Sequence, residues 1–337
     1  MKTFHIARLC TVYDLGNPVC EPETVSGGVL HRMWRLTTTR GVYAVKQLNP
    51  AIMRKPHIYE AYRLTERIAA ALATHDIPAV TALAPAGDPL QTLEDATFLV
   101  YHWVDGVIYE QGPVAPERAH QIGTILARIH TLQLPFAELD APEWEPLPED
   151  DWDVLTFHAA DMKIPWAYPV RALLPQLLTW SKQEAEAGRV LSKTMVISHR
   201  DLDQKSVIWH NEQTPYIIDW EAAGLINPTV ELVRTALSWS GLHVGMPEED
   251  IFTALMQGYV QAGGTIHNTG TDALYGVMGH WLGWLLFNMR RSTGESINSE
   301  EERQLGIQET TKTLPILRCL DKHAATWASW IDRWHEL

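Results

Sequence analysis

A chain of 337 residues with 46% hydrophobic and 20% charged side chains has the composition of a globular protein with a sizeable core. Its formal net charge of −14 disfavours nucleic acid as a partner and is compatible with a cationic ligand. Cys10, Cys20 and Cys319 have neither metal-ligand nor disulfide-framework spacing, and the most apolar run, 275–287, contains His280 and is too short for a bilayer. The stretch from Met1 to Arg8 lacks the apolar centre of a signal peptide, so the expectation is a cytoplasmic protein with no membrane partner.

Residues 1–22, with Gly16, Pro18 and Pro22, read as an irregular lead-in. Thr24 to Thr37 then reads as strand, turn and strand, with Gly27 and Gly28 at the turn. Glycines there let the backbone come close to phosphate oxygens, with turn amides pointing at them. A strand from Gly41 to Leu48 carries Lys46 at its end. Pro56 suits the first turn of a helix over 57–74, where Ile58, Tyr62, Thr65, Ile68, Ala69 and Leu72 have helical spacing. Its two acids are Glu60 and Glu66. Thr97 to Val104 is a buried strand that stops at Asp105 and Gly106. A helix over 116–132 follows, and its His130 is expected in the core. Residues 135–153, rich in proline and acids, read as a loop; 173–187 reads as a helix ended by Gly188.

Residues 195–224 hold the densest chemistry. Met195 to Ile197 is a short apolar run, His199-Arg200-Asp201-Leu202 opens a loop, and Val207 to Trp209 is a second apolar run. After a turn at 210–215, Tyr216 to Ile218 is a third, ending at Asp219-Trp220-Glu221. Short strands joined by a turn would present Asp201 and Asp219 at neighbouring loop mouths, an arrangement suited to a divalent metal and phosphate. Beyond it, 229–241, 248–262, 271–291 and 300–335 are helical by pattern, parted at Pro247, Gly263-Gly264 and Gly294.

The His199-Arg200-Asp201-Leu202 loop followed by Asp219-Trp220 resembles the aminoglycoside phosphotransferase and choline kinase superfamily. The resemblance implies an α+β, protein-kinase-like two-lobe fold. A small antiparallel-sheet N-lobe with one helix would span 1–104, and a larger, mainly helical C-lobe 105–337. It also implies phosphoryl transfer from ATP or GTP, with Mg2+, to a hydroxyl of a small molecule. Asp201 would be the catalytic base and Asp219 a Mg2+ ligand. Lys46, in Tyr43-Ala44-Val45-Lys46, would hold the α and β phosphates, fixed by Glu60 or by its rival Glu66. Gly27 and Gly28 would cover the phosphates, and Tyr101, His102 and Val104 would line the adenine. Glu231 would brace the catalytic loop through its backbone. Ser206 stands where the family has an asparagine that binds the second metal, and a serine hydroxyl is a shorter, weaker ligand; Asp203 is the candidate to compensate. No Ala-Pro-Glu follows Asp219, which points away from a protein kinase. Asp150, Asp151, Asp153, Asp161 and Glu221 are the acids available to a polycationic acceptor. Trp152, Trp166, Trp281 and Trp284 are those available to a quaternary ammonium, and a neutral hydroxyl compound is a third option. The alternative is a nucleotide-binding pseudokinase or scaffold of the same fold, supported by Ser206.

Overall fold

In the computed structural model, residues 3–25, 31–54, 56–136, 138–140, 144, 149–295, 297 and 299–335 are described. The regular elements begin with α1 (Thr3–Val12), β1 (Glu23–Val25), β2 (Arg32–Thr38), β3 (Gly41–Gln47), α2 (Pro50–Met53) and α3 (Pro56–Ala73). Next come β4 (Gln91–Leu93), β5 (Ala96–His102), α4 (Pro116–Thr131), α5 (Glu149–Asp161), α6 (Ala167–Leu191) and β6 (Val196–Ser198). The chain continues through β7 (Val207–His210), β8 (Thr214–Ile217), β9 (Gly224–Ile226) and α7 (Pro228–Ser240). It closes with α8 (Glu249–Gln261), α9 (Gly270–Ser292) and α10 (Glu300–His335). Two compact units result: Met1–Tyr109 with Lys205–Ala223, and Glu110–Gln204 with Gly224–Leu337. The resemblance implies a single division at 104/105; the units divide at 109/110, and 205–223 belongs with the first.

The first unit is built on a five-stranded antiparallel sheet of order β1-β2-β3-β5-β4. Strand alternation sends Leu36, Tyr43, Val45, Phe98 and Val100 to one face, where α1 lays down Ile6, Leu9 and Cys10, and Tyr13 follows directly after it. That helix corrects the reading of 1–22 as irregular: the four residues have the i, i+3, i+4, i+7 spacing of an amphipathic helix. Lys46 and Leu99 oppose each other in register and share the other face. There Leu99 packs with Leu48, Met53, Leu90 and Tyr62 of α3. The β7–β8 hairpin is tied into this unit by its backbone: Ile217 N–H donates to Pro78 O at 2.7 Å, and Val80 N–H donates to Ile217 O at 2.8 Å.

The second unit is mainly helical. Every residue of α7 is buried, and its start is fixed by Asn227, whose side chain accepts from Val230 N–H at 3.0 Å, with Pro228 in the first position. α4 and α8 cross with their backbones in contact: a Cβ added at Gly123 would overlap Leu255 O, and one at Gly258 would overlap His120 O. β6 pairs antiparallel with β9, Ser198 opposite Gly224, so the loop after β6 starts from a fixed edge. A small antiparallel sheet in one unit and helices in the other match the expected α+β class. Among the described residues, no helix is long and apolar enough to cross a membrane.

Candidate active site

In the first unit, Lys46 is buried, and its Nζ donates to Asp219 Oδ1 at 2.6 Å and Glu221 Oε2 at 2.8 Å. A buried ammonium survives only with such partners. Burial would lower the Lys46 pKa, but the two carboxylates raise it above the usual lysine range. They reach the lysine from one short turn. Asp219 adopts a left-handed backbone, φ 63°, and buried Trp220 anchors the next position through Nε1 donating to Ile217 O at 3.1 Å. Such a backbone at a non-glycine residue is strained and persists where its surroundings enforce it.

Glu221 has further partners. His31 Nε2 lies 3.0 Å from Glu221 Oε2 and 2.6 Å from Tyr62 Oη, while His31 Nδ1 accepts Asn49 N–H at 3.0 Å. The accepting Nδ1 leaves Nε2 to carry the hydrogen. Burial would raise the Glu221 carboxyl, yet Lys46 and the His31 hydrogen bond hold it well below the usual carboxylate range. Glu66, also buried, accepts the Tyr101 hydroxyl at 2.6 Å and Ala82 N–H at 3.2 Å. Burial pushes the Glu66 carboxyl up, against the Tyr101 and Ala82 hydrogen bonds and the field of Lys46.

In the second unit, α7 holds both backbone polar groups of one residue, Arg200, in the loop after β6. Arg200 N–H donates to Glu231 Oε1 at 2.6 Å, and the Arg234 guanidinium donates to Arg200 O. Glu231 and Arg234 are three apart, so they lie on one side of the helix. Arg200 has φ 65°, a second left-handed non-glycine, immediately before exposed Asp201. Glu231 is fully buried and is braced in turn, with Oε2 2.9 Å from His130 Nε2, while His130 Nδ1 lies 2.8 Å from Tyr259 Oη. The loop continues through Leu202, whose carbonyl accepts Trp239 Nε1–H at 3.0 Å, and Asp203, which accepts from Gln111 Nε2 at 2.6 Å.

The residues expected from the sequence fall as follows. Lys46 and Asp219 are brought together. Glu60 is not the acid beside Lys46: it is exposed and bonds Arg63 at 2.7 Å, one helix turn along. Tyr101 is spent on Glu66. His102 is exposed, with its ring 5.5 Å from that of Tyr43, and Val104 is half-buried just beyond β5. Ser206 is buried, and its carbonyl accepts Ile218 N–H at 2.9 Å. Gly27 and Gly28 lie outside the described residues. Trp152 and Trp166 are core residues and cannot form a cage for a quaternary ammonium, while Asp151 is paired with Arg290. Sequence reasoning did not find His31, and it gave Glu221 no part at Lys46; only the position two residues past Asp219 hinted at the latter.

For a magnesium ion, Asp219 supplies a fitting hard oxygen, its side chain 47% exposed, and Glu221 is a second carboxylate on the same ammonium. The buried Ser206 hydroxyl is a poorer donor for such an ion.

Residues 21–269 match the sequence profile of the Phosphotransferase enzyme family. A search of curated proteins returns no match. Among solved structures, a spectinomycin phosphotransferase bound to ADP and spectinomycin superposes with a TM-score of 0.72 at 13% identity, covering 96% of this chain and 99% of that one. A Plasmodium vivax ethanolamine kinase gives 0.58 at 13% identity, over 94% and 89% of the two chains. A choline kinase from Cryptosporidium parvum Iowa II gives 0.59 at 10% identity, over 100% of both. These likenesses establish the fold.

Proposed function

We propose that this chain, which belongs to the phosphotransferase enzyme family, is a small-molecule kinase that moves the γ-phosphoryl group of ATP or GTP to an alcohol. The observation that carries the reading is the buried Lys46 clamped by Asp219 and Glu221. An ammonium and two carboxylates on one short turn are the parts that nucleotide phosphates and their counter-ion require. Asp219 and Glu221 would hold Mg2+, which when bound neutralises charge on the phosphates. Lys46 would turn from the carboxylates to the phosphate oxygens as a point charge. Asp201 would orient the acceptor hydroxyl and take its proton. Its loop is suited to that task, because Glu231 and Arg234 hold the N–H and the carbonyl of the preceding residue, Arg200. Tyr101, His102 and Val104 remain the candidates to line the base, and Gly27 and Gly28 to cover the phosphates.

A second reading, a nucleotide-binding protein without transfer activity, is favoured by one observation: Ser206, in the place of a metal-binding asparagine, is buried. ADP release with hydroxylated acceptors separates the two. Asp201→Ala should lower turnover by roughly two to four decades while nucleotide still binds. Unchanged turnover would remove Asp201 from the mechanism. Ser206→Asn should sharpen the magnesium dependence if position 206 contributes a ligand, and identical titrations in both forms would show that it does not.

A further inference from the structure

Within the second unit, His280 of α9 is exposed, with its Nδ1 2.7 Å from an Arg234 guanidinium nitrogen. A guanidinium only donates, so Nδ1 is the acceptor and the ring hydrogen sits on Nε2. Among the described residues that Nε2–H has no protein partner. The ring is held in place by Trp281, whose centroid is 5.7 Å from His280 and 5.5 Å from His243. Arg234 also donates to Arg200 O, so His280 is joined through one guanidinium to the peptide that precedes Asp201. The Arg200 guanidinium lies across Gly224, where an added Cβ would stand 2.9 Å from its Nη1.

The charges around this ring are mostly positive. The edge of the ring turned to Arg234 is covered although the residue as a whole is exposed; desolvation there, then Arg234, Arg200 and His243, hold the His280 imidazole well below the usual histidine range, and with Nδ1 accepting from Arg234 the ring is an uncharged donor. Of the acids nearby, Glu231 is fully buried on His130 and the Arg200 amide, and Asp203 accepts from Gln111, which also lies 3.3 Å from His243 Nε2. Glu184, packed against Gly279, is pushed up to about 7 by burial, and exposed Asp201 is the base reserved for the acceptor hydroxyl. An ammonium placed here would face two guanidinium groups. A carboxylate would meet an N–H polarised by the arginine behind it, in the field of a second arginine.

We propose that His280, backed by Arg234, binds an anionic oxygen of the acceptor, and that the acceptor is an alcohol bearing a carboxylate rather than an ammonium. This rests on the kinase reading and names the substrate class of that site. It runs against the expectation from the net charge of −14, which favours cations. The bulk charge acts at long range and is screened within roughly 10 Å by salt, whereas the two guanidinium groups act on the ring from short range.

The test is calorimetric titration of the full chain, saturated with ADP and magnesium, against hydroxy acids of graded length, each beside its carboxamide and its amino alcohol. The carboxylates should bind most tightly. His280→Leu should weaken them roughly 10- to 100-fold, His280→Gln, which keeps an N–H, should weaken them less, and the amino alcohols should be unaffected. Both substitutions are at an exposed helix position, and thermal melting checks the fold. If no carboxylate outbinds its own amide, or if His280→Leu leaves carboxylate affinity unchanged, the inference is overturned. ADP release on the same compounds keeps the two readings apart. Carboxylate binding that depends on His280 without turnover sinks the kinase reading alone; turnover of amino alcohols indifferent to His280 sinks this inference alone.

Discussion

Glu231→Gln is the most informative single change in the second unit. The carboxylate is fully buried and meets two groups: Arg200 N–H at 2.6 Å on one oxygen and His130 Nε2 at 2.9 Å on the other. Burial alone would raise its pKa, but the His130 hydrogen bond and charge, followed by Arg234, bring it from 4.5 to about 2. At about 1.4 kcal/mol per tenfold change in proton affinity, that is on the order of 3 kcal/mol of stability at neutral pH. A glutamine amide has one oxygen for these two sites, so its NH2 faces a donor in either orientation. The expected loss is about 2–4 kcal/mol, the range for a buried pair left half-made. Urea unfolding followed by tryptophan fluorescence at pH 7 measures it. Since the folded pKa lies below the unfolded one, the carboxylate's contribution is present above pH 4.5 and drains away as the pH falls toward about 2. The gap between wild type and variant should therefore narrow at pH 3, to on the order of 1 kcal/mol. A loss below about 1 kcal/mol at pH 7 would refute the argument.

Glu60→Ala should leave both stability, within about 0.5 kcal/mol, and the KM for nucleotide unchanged, because its partner Arg63 is a surface pairing. Glu66→Ala strands the Tyr101 hydroxyl and Ala82 N–H and should cost about 1–3 kcal/mol by chemical denaturation. Equal effects at the two positions would contradict the placement. Gly258→Ala should lower stability by about 1–3 kcal/mol or more, since the new methyl meets the His120 carbonyl of the facing helix. A melting temperature identical to wild type would mean that α4 and α8 are not in backbone contact.

Periodicity placed the helices of the second unit to within a few residues, except α6, which extends several residues beyond the predicted stretch, and α5, which begins inside the stretch read as a loop. A 3.6-residue repeat survives whatever the partners are. The choice between Glu60 and Glu66 was also open to that logic. Tyr62, Thr65, Glu66 and Ala69 are buried at i, i+3, i+4 and i+7, and Glu60 is off that stripe. Proximity to the helix start was the wrong criterion for which acid points inward. The Lys46–Asp219 pairing spans 173 residues, and His31, which meets Glu221 beside it, has no local signal, because nothing in a sequence records which distant carboxylate a buried imidazole meets. The brace from Glu231 to the loop after β6 is legible only through the family resemblance. Left-handed Arg200 and Asp219 had no signature either, since the usual marker for such a backbone is glycine.

Neither unit is one continuous stretch of chain, and this governs how the polypeptide can be divided. A fragment that stops at Tyr109 would carry the whole five-stranded sheet yet lack 205–223. The edge at Pro78–Val80 would then have no strand to accept and donate, and Lys46 would be a buried cation stripped of both counter-ions. Split-gene or domain-exchange experiments that cut at 109/110 should therefore give an aggregating N-terminal piece, and a cut placed after Ala223 would keep the first unit's own parts on one polypeptide.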